Sequence, residues 1–277
     1  MTRSLPIPIT DDHIHIDPVN GRGLEAAKDF KRAGGTHIFL VSKPSWSFGV
    51  TPGKGEDYLP VFEGTLAVAR QVRDLGIVVF PVLGVHPAEI TKLAEVVGLP
   101  RAEQVMIEGL DVAARFVARG EAVALKSGRP HYEVPAEVLD ASNRVLRHAL
   151  ILAREHGCAV QLHAEGGPCA DVVGMAKEAG LPIEKVVKHF ATPDTPLVPS
   201  FIARHEAIPG LAAAGRPFTM ESDFMDENSR PGSVIGPRSV PRFTRRLLET
   251  GEMTEEAARR IHVETPSRTY GVEICQP

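Results

Sequence analysis

Ile7-Pro8-Ile9-Thr10, followed at once by Asp12-His13-Ile14-His15-Ile16-Asp17, reads as a first β-strand and its exit. Alternate residues of a strand share a face, so His13 and His15 project to one side. Working outward from this segment, strand-like and helix-like stretches alternate along the chain. Further strands are expected at residues 36–41, 77–83, 122–126, 158–163, 185–189, 198–203 and 217–222. Helices are expected at residues 24–33, 63–75, 88–97, 101–119, 135–156 and 171–179, with helical sequence resuming at Phe243. Short β-branched runs separated by helices argue for a parallel sheet buried on both faces. Eight such units suit a single α/β (β/α)8 TIM barrel, with residues 1–277 as one domain. No Gly-x-Gly-x-x-Gly follows the first strand, which weighs against an open doubly wound sheet. The Pro- and Gly-rich stretch at residues 230–241 reads as a rim loop.

Composition narrows the class. The chain has 277 residues, 43% hydrophobic and 24% charged, which suits a globular protein with a sizeable core. A formal charge of −4 offers no broad basic face, so extended nucleic-acid binding is not expected, nor is attraction to an anionic membrane. Three cysteines, Cys158, Cys169 and Cys275, are an odd number without metal-site spacing, as expected in a reducing compartment. The opening Met1-Thr2-Arg3-Ser4-Leu5-Pro6 lacks the apolar core of a signal peptide. No stretch approaches the ~18 apolar residues of a membrane span. A cytoplasmic location is the expectation.

The chemistry-bearing residues come in a telling order. His13, His15, Lys126, His163, His189 and Asp223 are candidate metal ligands. Five stand at the C-terminal end of an expected strand, and His13 is two residues before one. The C-terminal rim of a parallel barrel is where catalytic groups gather. A lone strand-end histidine is ordinarily a satisfied polar residue. Four histidines and an aspartate brought to one rim are a different matter, because neutral imidazole suits divalent zinc, manganese, iron or nickel. Asp223 is the expected catalytic residue, a carboxylate able to bind one metal and to take a proton from bound water. Arg129 and His131, just past the fourth strand, and His86, past the third, are expected to bind substrate; Lys43 and Trp46 are further candidates.

These residues resemble those of the amidohydrolase superfamily, and within it the TatD-related metal-dependent hydrolases, over nearly the whole chain. Asp12-His13-Ile14-His15 is similar to the family's opening motif and Gly84-Val85-His86-Pro87 to its Gly-x-His-Pro turn. His163, His189 and Glu221-Ser222-Asp223 match its later ligand positions. Gly128-Arg129-Pro130-His131-Tyr132, Arg230 to Pro237 and Ile261 to Gly271 are most similar to the archaeal-type branch. The resemblance implies two divalent ions (zinc, manganese, nickel, iron or magnesium) and a phosphodiester substrate, including a DNA end, as for a metal-dependent deoxyribonuclease.

One position departs. TatD-like proteins usually carry a bridging glutamate where Ala124-Leu125-Lys126-Ser127-Gly128 has Lys126. Glu121 precedes the strand and would not reach the rim. The neighbouring phosphotriesterase and lactonase branch uses a strand-four lysine carboxylated by carbon dioxide, a carbamate that bridges as glutamate does. The expectation is therefore His13, His15 and Asp223 on one ion, His163 and His189 on the other, and carboxylated Lys126 between. Two ions about 3.5–4 Å apart lower the pKa of a bridging water. If Lys126 governs specificity, a lactone, an amide or an organophosphate triester is the substrate. If Lys126 stays an ammonium, a one-metal site or a catalytically inactive binding barrel results. The substrate is expected to be a small molecule or a nucleic-acid end; the sequence carries no sign of the oligomeric state.

Overall fold

The computed structural model describes residues 5, 7–229 and 234–275; Arg230 to Ser233 of the expected rim loop lie outside them, as do Met1 to Ser4 and Pro6. Strand β1 (Thr10–His15) is buried along its whole length. After it come α1 (Leu24–Arg32), β2 (His37–Val41), α2 (Leu59–Asp74), β3 (Val78–Gly84), α3 (Glu89–Val97) and α4 (Leu99–Ala118). The chain continues through β4 (Ala124–Gly128), α5 (Ala136–His156), β5 (Ala159–His163), α6 (Asp171–Ala179), β6 (Val186–Lys188), β7 (Val198–Ile202) and α7 (Ile208–Ala213). It closes with β8 (Thr219–Glu221), β9 (Phe224–Met225), α8 (Ser239–Glu249), α9 (Glu255–Arg259) and α10 (Thr265–Tyr270).

All paired strands are parallel, in the order β8-β7-β6-β5-β4-β3-β2-β1-β9. The sheet is a curled one of nine strands, where eight were expected. The difference arises at Ser222-Asp223, which interrupts the expected last strand. Asp223 has φ 44°, a left-handed conformation costly for a residue with a Cβ. Its N–H donates to the His13 carbonyl at 2.9 Å, and the Ser222 N–H donates to Asp11 Oδ1 at 3.0 Å. The chain therefore pairs with β7 before this kink and with β1 after it.

Strand alternation divides the core. Phe39, Val41, Val82, Ala124, Ala159 and Val187 pack with Tyr270 in one cluster, while Ile38 and Leu40 pack with Phe30, Ala69 and Val72 in another. Helix α5 shows how the outer layer is held. Its buried Ala141, Val145, Leu146, Ala149, Leu152 and Ala153 recur at helical spacing, and Gly157 ends it with φ 66°. Truncating fully buried Leu146 to Ala should cost about 2–5 kcal/mol. Helical sequence resumes at Ser239, four residues before the expected Phe243.

Two glycines keep the strand ends close around the site. A Cβ on Gly128, at φ 153°, would overlap the His163 carbonyl, and one on Gly84 would overlap the Lys126 carbonyl. Glycine is the residue that permits such approach. Under the rim, the Tyr270 hydroxyl donates to Asp12 Oδ2 at 3.1 Å and accepts from Gln161 Nε2 at 2.8 Å. Among the described residues no helix is long and apolar enough to cross a membrane.

Candidate metal centre

His13 and His15 come from β1, Lys126 from β4, His163 from the end of β5, His189 from just past β6 and Asp223 from the β8–β9 kink. The structure brings all six together. His13 Nε2 lies 3.2 Å from His15 Nε2, 3.3 Å from Lys126 Nζ and 3.8 Å from Asp223 Oδ1. The His13 ring stacks on His189 at 4.1 Å between centroids. A second chain of imidazoles runs from His131 Nδ1 to His163 Nε2 at 3.0 Å, then from His163 Nδ1 to His189 Nε2 at 2.7 Å. His13, His189 and Asp223 each offer a donor atom within 4.8 Å of the others. That triple draws one histidine from each of the two expected metal sites.

Burial sets the charge states. It pushes His13, His15 and His163 well below the ordinary imidazole range, and His189 down to about 3. Burial also brings the Lys126 ammonium down to about 8, opposed by the carboxylates of Asp223 and Glu221. It lifts Asp223 up to about 6. The imidazoles are therefore neutral nitrogen donors near pH 7, and Lys126 has a reactive unprotonated fraction.

Three buried carboxylates were given no role of their own from the sequence, although Asp12 and Glu221 stand within the quoted motifs. Asp11 is pushed up to about 8, Asp12 to about 7 and Glu221 to about 7, chiefly by burial. Glu221 Oε1 accepts the Phe190 N–H at 2.8 Å and faces His189 Nδ1 at 3.3 Å. Carboxylates that hold the far nitrogen of a metal-binding histidine fix its tautomer and orientation. Their adjacency to His13 and Asp223 in sequence was the available signal.

A cavity of about 610 Å³ opens above these groups, walled by His15, Lys126, His163, His189 and Asp223 below and by Trp46, Phe190 and Met225 nearer its mouth. His86 and His131 are among the residues that line it. Arg129 is placed differently. Its buried guanidinium is bound to Glu165 and to Asp171 Oδ2, the latter at 2.5 Å, and it is not part of the cavity wall. Lys43 is likewise buried, bonded to Asp17 Oδ2 at 2.7 Å and to the Asp226 carbonyl at 3.1 Å. Glu121 stays outside, exposed and paired with Arg119.

A curled parallel sheet with imidazoles and a carboxylate converging at its strand ends is a TIM-barrel-like α/β fold built around a candidate metal centre. Sequence comparison is more specific: the TatD related DNase profile matches residues 10–271, and the chain belongs to that family of hydrolases. An uncharacterized protein of Methanocaldococcus jannaschii is 35% identical over 289 aligned positions, covering 97% of each chain. Among solved structures, a TatD homologue from Escherichia coli K-12 has TM-score 0.64 at 18% identity, covering 95% of this chain and 98% of that one. The phosphotriesterase homology protein of Escherichia coli, solved with phosphate in its active site, has TM-score 0.62 at 14% identity over 96% and 99% of the two chains. A lactonase from Listeria monocytogenes has TM-score 0.60 at 15% identity over 95% and 94%.

Proposed function

We propose that the protein is a binuclear metal-dependent hydrolase acting first on phosphoester bonds, a DNA end among them. The observation that carries this reading is the convergence of His13, His189 and Asp223, of which His189 and Asp223 line one cavity together with His15, Lys126 and His163. The donor set fits divalent ions. Neutral imidazole nitrogens facing one another at 2.7–3.2 Å can share at most one proton per pair, and the remaining lone pairs are relieved by a cation. His13 turns Nε2 toward His15, Lys126 and Asp223, and its buried Nδ1 has no hydrogen-bond partner among the described residues.

His13, His15 and Asp223 would hold one ion and His163 and His189 the other. Bound divalent ions supply Lewis acidity and lower the pKa of water. The chain's own residues do the rest. Asp223, lifted to about 6, is a carboxylate at neutral pH and basic enough to receive the proton of the attacking water and return it to the leaving group. Glu221 orients His189 from behind. His86 and His131 flank the substrate in the cavity wall.

Lys126 takes the place of the bridging glutamate as a carbamate. Its amine lone pair adds to the carbon of carbon dioxide, and one N–H proton leaves to solvent or Asp223. A second reading, a lactonase or phosphotriesterase-like hydrolase, is favoured by this residue alone, buried and 3.3 Å from His13. A panel of p-nitrophenyl phosphodiesters, oligonucleotides and lactones, assayed with Mn²⁺, Zn²⁺ and Ni²⁺, separates the two. Lactone cleavage without turnover of any phosphodiester would reject the nuclease reading.

A further inference from the structure

Resting on the hydrolase reading above, we propose that the cavity mouth recognises a single anionic group at the far end of an ester substrate. Lys92 is the recognition point, and an apolar body lies between it and the histidines. Lys92 Nζ sits 4.0 Å above the centroid of the Trp46 ring. A cation–π contact holds an ammonium in place without neutralising it. Lys92 forms no ion pair with a carboxylate among the described residues. The Trp46 ring stands edge-on to His86 at 6.0 Å, and the His86 ring is 4.7 Å from that of His163. Lys92 is thus held about two aromatic rings from the metal-binding histidines.

The other cations around the site are committed elsewhere. Arg129 is bound to Glu165 and Asp171, Lys43 to Asp17, and Lys188 Nζ donates to the Ala164 and His189 carbonyls at 3.4 and 3.0 Å. The cavity wall also carries Pro44, Phe190, Met225 and Val234, none of which compensates a charge, beside the neutral polar Ser47 and Tyr132. Glu227, on the same wall, is 3.8 Å from Lys43 Nζ and adds no further positive charge. One apolar body with one distal carboxylate or phosphate matches this arrangement.

Trp46 is the chain's single tryptophan, so its fluorescence reports directly on the mouth. With Mn²⁺ present, the protein is titrated with pentylphosphonate and with the counterpart whose terminal methyl is replaced by a carboxylate. The carboxylate-tailed probe should bind about 3- to 10-fold more tightly, the range of an ion pair in a partly sheltered site. Lys92→Ala and Lys92→Gln should erase that preference and leave pentylphosphonate affinity unchanged, and Lys92→Glu should invert it. Lys92 is exposed, so these variants retain the core. Equal affinities in the unaltered protein, or a preference that survives in Lys92→Ala, overturns the proposal. Failure of the hydrolase reading is a separate result, seen as no turnover of any ester while the binding preference is still measured.

Discussion

Glu221 Oε1 receives the Phe190 N–H at 2.8 Å while facing Nδ1 of the preceding residue, His189, at 3.3 Å. One buried carboxylate thus anchors a candidate ligand and a residue of the cavity mouth. Phe190 has φ 51° and is 54% exposed, an unusual state for an aromatic residue. Glu221→Ala leaves both donors unpaired and should cost about 1–3 kcal/mol of unfolding free energy. Glu221→Gln keeps a carbonyl acceptor and should cost less, yet weaken metal binding about 10-fold through His189. Denaturant unfolding together with metal titration checks both. Equal stability losses in the two variants would contradict the hydrogen-bonding role.

Arg129 belongs to the scaffold around the site. Arg129→Ala should lower stability by about 1–2 kcal/mol, since its carboxylate partners are half-exposed and remain solvated without it. KM should stay within about twofold. A tenfold or larger rise in KM with unchanged stability would return Arg129 to substrate binding.

His262 gives a pH signature away from the centre. It is fully buried between Thr10 and Thr244, and burial holds it down to about 4 against an ordinary 6.5. The folded state favours neutral imidazole, so this contribution is complete above pH 6.5 and is lost as pH falls toward 4. Full loss amounts to about 3 kcal/mol as an upper figure. The unfolding free energy should therefore fall more steeply from pH 7 to 4.5 in the unaltered protein than in His262→Gln. Parallel curves would show that His262 titrates in the fold as it does in the unfolded chain.

Much of the architecture was legible because local pattern decides it. Helix α6 has the expected bounds, β4 and β5 fall within two residues of expectation, and β1 starts three residues after the expected Ile7. The strand ends consequently delivered the histidines and Lys126 to one place. What local pattern cannot carry is long-range pairing. Nothing near Arg129 announces that Glu165 and Asp171, 36 and 42 residues later, will claim its guanidinium. The break at Asp223 was equally hidden, since it depends on the His13 carbonyl and Asp11 of the first strand. The stretch from Arg260 to Glu264 forms a π-helical turn, a form that apolar periodicity does not distinguish from an α-helix.

On the proposed function, a carboxylated Lys126 would stand as an anion between two divalent ions. The direct measurement is metal content per chain on protein purified without chelator, joined to a mass or electron-density check for a carboxyl group on Lys126. The expected result is two divalent ions, a carboxylated Lys126, and retained metal in Lys126→Glu. Less than one ion per chain with an unmodified lysine, and metal content that rises in Lys126→Glu, would contradict it.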